Sequence, residues 1–371
     1  MIAPLQRRTV VFAGGGSGGH LYPALALARA MPSVEAVFCV PPDRGDPERV
    51  GGAFRCVPLP APRLDRGGWH FPPRLLWAVA RARRTLRRLR ASAVVGLGGY
   101  ACVPACLAGR SLGLPIYLME CNAVPGRATR LLSHLARGIG LGSEAARARL
   151  TRRPGSRVTG TPLRAQLRRA AGPADFGLDS DRPTLLVLGG SQGASGLNTR
   201  VLTALPACAD LPFQVLFLAG PRDAGRVAAA CRSLPLPARV LGYLDDVGRA
   251  YAAADLVVAR SGASTVAECL ALGLPAVYVP YPFHADRHQE RNAEAAVRAG
   301  AAWLVREEEL SASRFRALVT ELLLEAPARE RMAAAAERLG RPGAAADMAA
   351  HLLESLGDAV AENRWFVEVG E

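Results

Sequence analysis

The chain has 371 residues, half of them apolar, and a formal net charge of +14; that length suits two domains of about 150 to 200 residues rather than one core. All 46 Lys-or-Arg positions are arginine, which excludes a Walker-type phosphate loop, a lysine Schiff base to pyridoxal phosphate and a kinase-type phosphate lysine. No apolar run approaches the roughly 18 to 20 residues of a bilayer span, and the eight cysteines lack zinc-ligand spacing, which suits a cytoplasmic chain with reduced, buried thiols.

Residues 9–13 form a short β-branched and apolar run that meets a loop of Gly14, Gly15, Gly16, Ser17, Gly18, Gly19 and His20, followed by the helical stretch LYPALALARA. Such a loop admits positive φ angles and lets a ligand approach the backbone. Gly14, Gly16 and Gly19 satisfy G-x-G-x-x-G, yet the acidic residue that a dinucleotide site needs at the far end of its second strand is missing. Glu35 opens the run VEAVFCV, and Asp43 lies beyond Pro41 and Pro42. This disfavours a nicotinamide or flavin cofactor.

Residues 41–73, rich in Pro, Gly and Arg, read as loop. A helix then opens at Pro73, with Leu75, Val79, Ala82, Leu86 and Leu89 on one stripe, arginines including Arg81 and Arg84 flanking it, and Leu76 and Trp77 off it. Either the stripe packs on a sheet and the arginines are solvated, or Leu76 and Trp77 enter a membrane interface while Arg81 and Arg84 meet anionic lipid.

Residues 93–109 repeat the strand-turn-helix pattern, with Gly98, Gly99 and Tyr100 in the turn. The strand at 115–119 ends in Glu120 and Asn122, at the carboxyl end where open α/β sheets hold ligands. After a linker, GTPLR, the pattern restarts with PTLLVLGGSQGASGLN and continues through FQVLFLAG, ARVLGYLDD, DLVVARSG and PAVYVPYP. The chain therefore reads as α/β, with two doubly wound Rossmann-like lobes facing a cleft. The expected boundaries are 1–162, 163–340, and 341–371 for a final helix that crosses back to the first lobe.

Residues 255–292 carry the chemistry. An apolar run leads through Ser261, Gly262 and Ala263 into a helix whose first N–H groups and positive dipole end suit a phosphate. Glu268, at about the second turn, is placed to accept hydrogen bonds from a pair of sugar hydroxyls. A nucleotide sugar fits; so does a bland reading in which Ser261 and Gly262 only cap the helix.

The motifs GGSGGH (15–20), GLGGYACVPA (96–105), ECNAVPGR (120–127), GTPLR (160–164), GGSQGA (189–194), RSGASTVAE (260–268) and HADRHQERNA (284–293) strongly resemble, in order and across nearly the whole chain, the bacterial N-acetylglucosaminyltransferases that convert lipid I to lipid II. The resemblance implies the two-lobed GT-B architecture, UDP-GlcNAc and undecaprenyl-linked lipid I as substrates, and peripheral attachment to anionic lipids on the cytoplasmic face of the cell membrane. It implies inverting transfer of GlcNAc without a metal or an organic cofactor. It also implies that Ala263, Ser264, Thr265, Val266 and Ala267 face the UDP diphosphate, that Glu268 binds the ribose, and that Leu244 lends its backbone to the uracil. Arg164 and Ser191 are expected near the nucleotide, Gln289 and Asn122 at the hexose, and Ser17, Gly18 and Gly19 over the donor sugar or acceptor diphosphate. His20 is the expected general base, imidazole having an unperturbed pKa near 6.5; orienting the acceptor is its other possible role. Met119 and Cys121 stand where the family commonly has histidine and glutamine. A UDP-GlcNAc 2-epimerase or another glycolipid transferase shares the same lobes. A nucleic-acid-binding role has only the net charge behind it, since no zinc spacing, RNP-like strand or helix-turn-helix is present.

Overall fold

The computed structural model describes residues 8–15, 18–42, 52, 54–62, 71–151, 155–164, 167, 171–190, 193–284 and 286–361. The chain divides into two compact units, Met1–Arg164 with Gly343–Glu371, and Ala165–Pro342.

Among the described residues the first unit holds one seven-stranded sheet, built from β1 (Arg8–Ala13), β2 (Val34–Val40), β3 (Arg55–Pro58), β4 (Ala91–Gly96), β5 (Ile116–Glu120), β6 (Gly138–Leu141) and β7 (Ser156–Val158), in the order β3-β2-β1-β4-β5-β6-β7. Every pairing is parallel. The near-continuous apolar runs of β1, β2, β4 and β5 are buried, as expected of strands covered on both faces. Phe12 opposite Phe38 shows the register, with stacked rings 5.1 Å apart.

The second unit repeats the winding with β8 (Thr184–Leu188), β9 (Gln214–Leu218), β10 (Ala238–Leu241), β11 (Leu256–Ala259), β12 (Ala276–Tyr278) and β13 (Ala302–Leu304), all parallel, in the order β10-β9-β8-β11-β12-β13. Gln214, fully buried, ties the lead-in to β8 onto β9. Its Nε2 donates to the carbonyls of Asp179 and Arg182 and to Thr184 Oγ1, while its Oε1 accepts from Asp179 N–H.

The last helix, Ala344–Ala361, belongs to the first unit. Met348, Leu352 and Leu356 are buried, and close approach to β6 depends on glycine. A Cβ on Gly138 would stand 2.5 Å from Ser355 Oγ, and one on Gly140 would stand 2.8 Å from Met348 Cγ. Tyr117 Oη lies 2.8 Å from His351 Nδ1 in this buried seam. Burial, and then Arg157, push His351 below its ordinary pKa, against a backbone bond at Gly155 and the charge of Glu354, which act the other way.

The arginine-rich helix spans Phe71–Arg88, two residues earlier than Pro73 suggests, because proline is tolerated throughout a first turn whose N–H groups have no intrahelical acceptor. It buries Ala78, Ala82 and Leu86, leaves Leu75, Val79 and Leu89 half-buried, and exposes Leu76 (71%) and Trp77 (56%). Arg81 lies over the Trp77 ring, 5.8 Å from its centroid, and both Arg81 and Arg84 are exposed. Among the described residues no helix is long and apolar enough to cross a membrane.

Candidate active site

In each sheet the winding reverses beside its first strand, between β1 and β4 in one unit and between β8 and β11 in the other. Such switch points open a crevice at the carboxyl ends of the strands, where ligands of open α/β sheets bind. The motifs singled out in the sequence lie at these ends.

In the first unit β1 runs into Gly14 (φ 121°) and Gly15 (φ 88°), conformations that favour glycine, and the next helix spans Gly18–Arg29. Gly18 and His20 are half-buried and Gly19 is exposed, with open space where a side chain would stand. The His20 ring lies against the turn after β4. A Cβ on Gly98 (φ 86°) would stand 3.3 Å from His20 Nε2 and 3.8 Å from Thr129 Oγ1. Thr129 in turn donates to Glu120 Oε2 at 2.7 Å. That carboxylate, on a residue only 3% exposed, also accepts from Gly126 N–H (3.1 Å), Asn122 N–H (3.0 Å) and Asn122 Nδ2 (3.2 Å). Glu120 thus folds the loop carrying Asn122 back on itself and, through Thr129, abuts the turn that supports His20.

In the second unit the helix Ala263–Ala271 starts at Gly262, which offers no side-chain cap. Its first turn-closing bond runs from Val266 N–H to the Gly262 carbonyl at 3.0 Å. The helix thus opens with its first N–H groups ahead of the turn-closing bonds, and Ala263, Ser264 and Thr265 there are half-buried. Ser261 Oγ, fully buried beside them, has no hydrogen-bond partner among the described residues. Val266 is buried and Ala267 half-buried. Glu268 is 3% exposed and accepts a hydrogen bond from Tyr251 Oη at 2.9 Å.

Gln289 lies in the first turn of the adjacent helix, His288–Arg298, and its Oε1 accepts from Tyr281 N–H at 2.9 Å. Because a backbone N–H can only donate, the side-chain oxygen of Gln289 is engaged by the loop and its amide nitrogen keeps the donor N–H groups. Asn292 Nδ2 on the same helix donates to the Ser261 carbonyl at 3.1 Å. The imidazoles of His284 in the loop and His288 at the helix start lie with centroids 4.2 Å apart, tilted by 35°, and burial, then the neighbouring His288, lower the pKa of His284.

The structure thus gathers residues 263–268 with Gln289 in one unit, and His20 with Asn122 in the other. Leu244 is half-buried, just past the end of β10. Arg164, expected at the nucleotide, ends the first unit with its guanidinium 3.8 Å from the centroid of the Tyr22 ring. Ser17 and Ser191 lie outside the described residues. Sequence reasoning missed Tyr251 and Asn292, whose partners lie 17 and 31 residues away, and the organising role of Glu120, whose partners are close in sequence but are gathered only by the irregular path of its loop. Among the described residues no group of three or more His, Cys, Asp or Glu is arranged to hold a metal ion.

Two parallel α/β units, each with glycine-rich or small-residue turns at its switch point, define the GT-B fold. Residues 10–141 match the glycosyltransferase family 28 N-terminal domain and residues 184–348 its C-terminal domain, and the chain belongs to that family. The UDP-N-acetylglucosamine--N-acetylmuramyl-(pentapeptide) pyrophosphoryl-undecaprenol N-acetylglucosamine transferase of Frankia casuarinae is 40% identical, over 94% of this chain and 96% of the relative. Its counterpart in Synechococcus elongatus is 38% identical, over 94% and 98%. The crystal structure of Acinetobacter baumannii MurG matches with a TM-score of 0.75 at 27% identity, covering 95% of this chain and 99% of that one. Within family 28 the chain groups with the MurG transferases, as its motifs led one to expect.

Proposed function

We propose that this enzyme transfers GlcNAc from UDP-GlcNAc to the 4-hydroxyl of the MurNAc of lipid I, with inversion, giving lipid II for peptidoglycan. The observation that carries the reading is the uncapped start of the Ala263–Ala271 helix at a switch point, with Glu268 held by Tyr251 a turn further on. Amides there suit a diphosphate, and a fixed carboxylate suits the ribose hydroxyls. Leu244 supports the uracil, Arg164 and Ser191 the phosphates, and Gln289 the hexose. Residues 163–340 serve as the UDP-sugar lobe, and residues 1–162, completed by the helix within 341–371, as the acceptor and membrane lobe.

His20 takes the proton of the acceptor hydroxyl as its oxygen bonds to the anomeric carbon and the bond to the UDP oxygen breaks. The charge left on UDP is met by the helix-terminal amides, assisted by Arg164, so this chemistry needs no divalent ion. Asn122 hydrogen-bonds the GlcNAc, and Ser17, Gly18 and Gly19 close over the donor sugar or the acceptor diphosphate. The protein works at the cytoplasmic face of the cell membrane as a peripheral enzyme. Exposed Leu76 and Trp77 enter the interface and Arg81 and Arg84 meet anionic headgroups.

Purified protein given UDP-GlcNAc and a lipid I analogue should release UDP, with EDTA present. An absence of release with several such acceptors would sink the reading. Flotation with anionic vesicles should require Trp77 and Arg81.

A further inference from the structure

We infer that Arg260 is a positioning residue that sets hexose selectivity in the donor site, an inference resting on the UDP-sugar reading of that site. Arg260 follows β11 and leads into Ser261, Gly262 and the helix start. Its side chain is 11% exposed and that of its ion-pair partner, Glu307, 16%.

Nη1 of Arg260 donates to the carbonyls of Val279 (3.0 Å) and Pro280 (2.9 Å), Nη2 pairs with Glu307 Oε2, and the guanidinium carbon lies 5.6 Å from the centroid of the Tyr281 ring. Val279 to Tyr281 begin the loop that leaves β12, and the Tyr281 N–H is the group that holds Gln289 Oε1. One planar cation thus ties three things in series: the entry to the helix that faces the diphosphate, the loop, and the amide that faces the hexose. Arginine suits this task because its fork satisfies several acceptors in fixed geometry. Both of its terminal nitrogens are engaged by protein groups, and its Nε is buried with no hydrogen-bond partner among the described residues; the guanidinium holds the loop through the terminal nitrogens.

Glu307 supplies the counter-charge that a buried cation needs, and it is confined from the far side. A Cβ on Gly196 would stand 2.5 Å from Glu307 Oε1. Gly196 lies in the first turn of the Ser195–Ala204 helix, where its backbone φ is open to other residues. Gly196→Ala therefore displaces the Glu307 carboxylate without touching Arg260, the loop or Gln289.

The measurement compares Kd for UDP, UDP-GlcNAc and UDP-GalNAc by calorimetry, with steady-state kinetics, in the wild type, Gly196→Ala, Glu307→Ala and Glu307→Gln. In the two alanine variants UDP affinity should change by no more than about twofold, while preference for UDP-GlcNAc over UDP-GalNAc falls about tenfold and kcat falls with it. Glu307→Gln, which keeps an oxygen acceptor for Arg260, should retain most of that preference. Parallel weakening of UDP and both UDP-sugars, or an unchanged preference, overturns the inference. Wild-type protein that binds no UDP overturns the donor-site reading and this inference with it. Wild type that binds UDP, with variants showing parallel loss, overturns this inference alone.

Discussion

At the end of β5 a buried carboxylate, Glu120, collects two backbone N–H groups, a hydroxyl and a side-chain amide. At the end of β11 a buried guanidinium, Arg260, collects two carbonyl oxygens and a carboxylate. The two sheets are wound alike, yet their ligand-facing ends are organised by opposite charges. By absorbing donors, Glu120 leaves its loop weighted toward acceptors, which suits a ligand that must present a hydroxyl. By absorbing acceptors, Arg260 leaves a surface weighted toward N–H groups, which suits an anion. On the proposed reading, the switch points set where ligands sit, and one ion in each unit sets what kind of group meets them.

The comparison can be broken most decisively at His20, the group proposed to handle that hydroxyl. His20→Ala should lower kcat by about a hundredfold or more, with little change in KM for UDP-GlcNAc; steady-state kinetics that show equal effects on both would undo the division of labour between the units. Next comes Glu120→Ala, which strands several buried donors and should cost about 3 kcal/mol of stability. Urea unfolding measures this directly, and a loss under about 0.5 kcal/mol, within the range of ordinary surface changes, would show that the carboxylate does not organise its loop.

A smaller effect is expected in the second unit, where Tyr251→Phe removes one hydrogen bond from Glu268. Donor affinity should weaken by about fivefold, near 1 kcal/mol, while kcat is largely kept; a fall in kcat at constant affinity would move Glu268 from binding to chemistry. The smallest effect is a pH dependence at the seam of the last helix. Burial holds His351 below its ordinary pKa, so the unfolded chain binds the extra proton first. The stabilisation is therefore complete above pH about 6.5 and is lost as pH falls from there toward the folded-state pKa, by at most about 1.4 kcal/mol per pH unit. Urea unfolding between pH 7.5 and 5.5 should show this slope in the wild type and a flatter one in His351→Gln.

Much of this architecture was legible in the chain. Apolar runs such as 256–259 and VEAVFCV become strands at those positions, because both faces of a parallel strand are buried and its composition says so. The glycine turns and the helix start at Ala263 were legible for a similar reason, since their backbone geometry restricts residue choice locally. The arginine-rich helix was legible as a helix but not in its first residue, because its opening turn accepts proline at more than one position. Its buried Ala78 was not legible either, alanine being at home on either face. The partners of Arg260, Tyr251 and Tyr117 were hidden for a different reason. Arg260 and Glu307 are 47 residues apart, Tyr251 and Glu268 are 17, and Tyr117 and His351 are 234. No local period encodes such pairings.

The helix Ala344–Ala361 has a consequence for how the protein is made. Gly138 and Gly140 are shaped for Ser355 and Met348, residues that leave the ribosome some two hundred positions later in synthesis. The first unit, though translated first, cannot close its own seam until the second has already emerged. A released chain truncated before residue 344 should therefore carry a protease-resistant second unit. The β6 face of the first unit would still be open to chaperones.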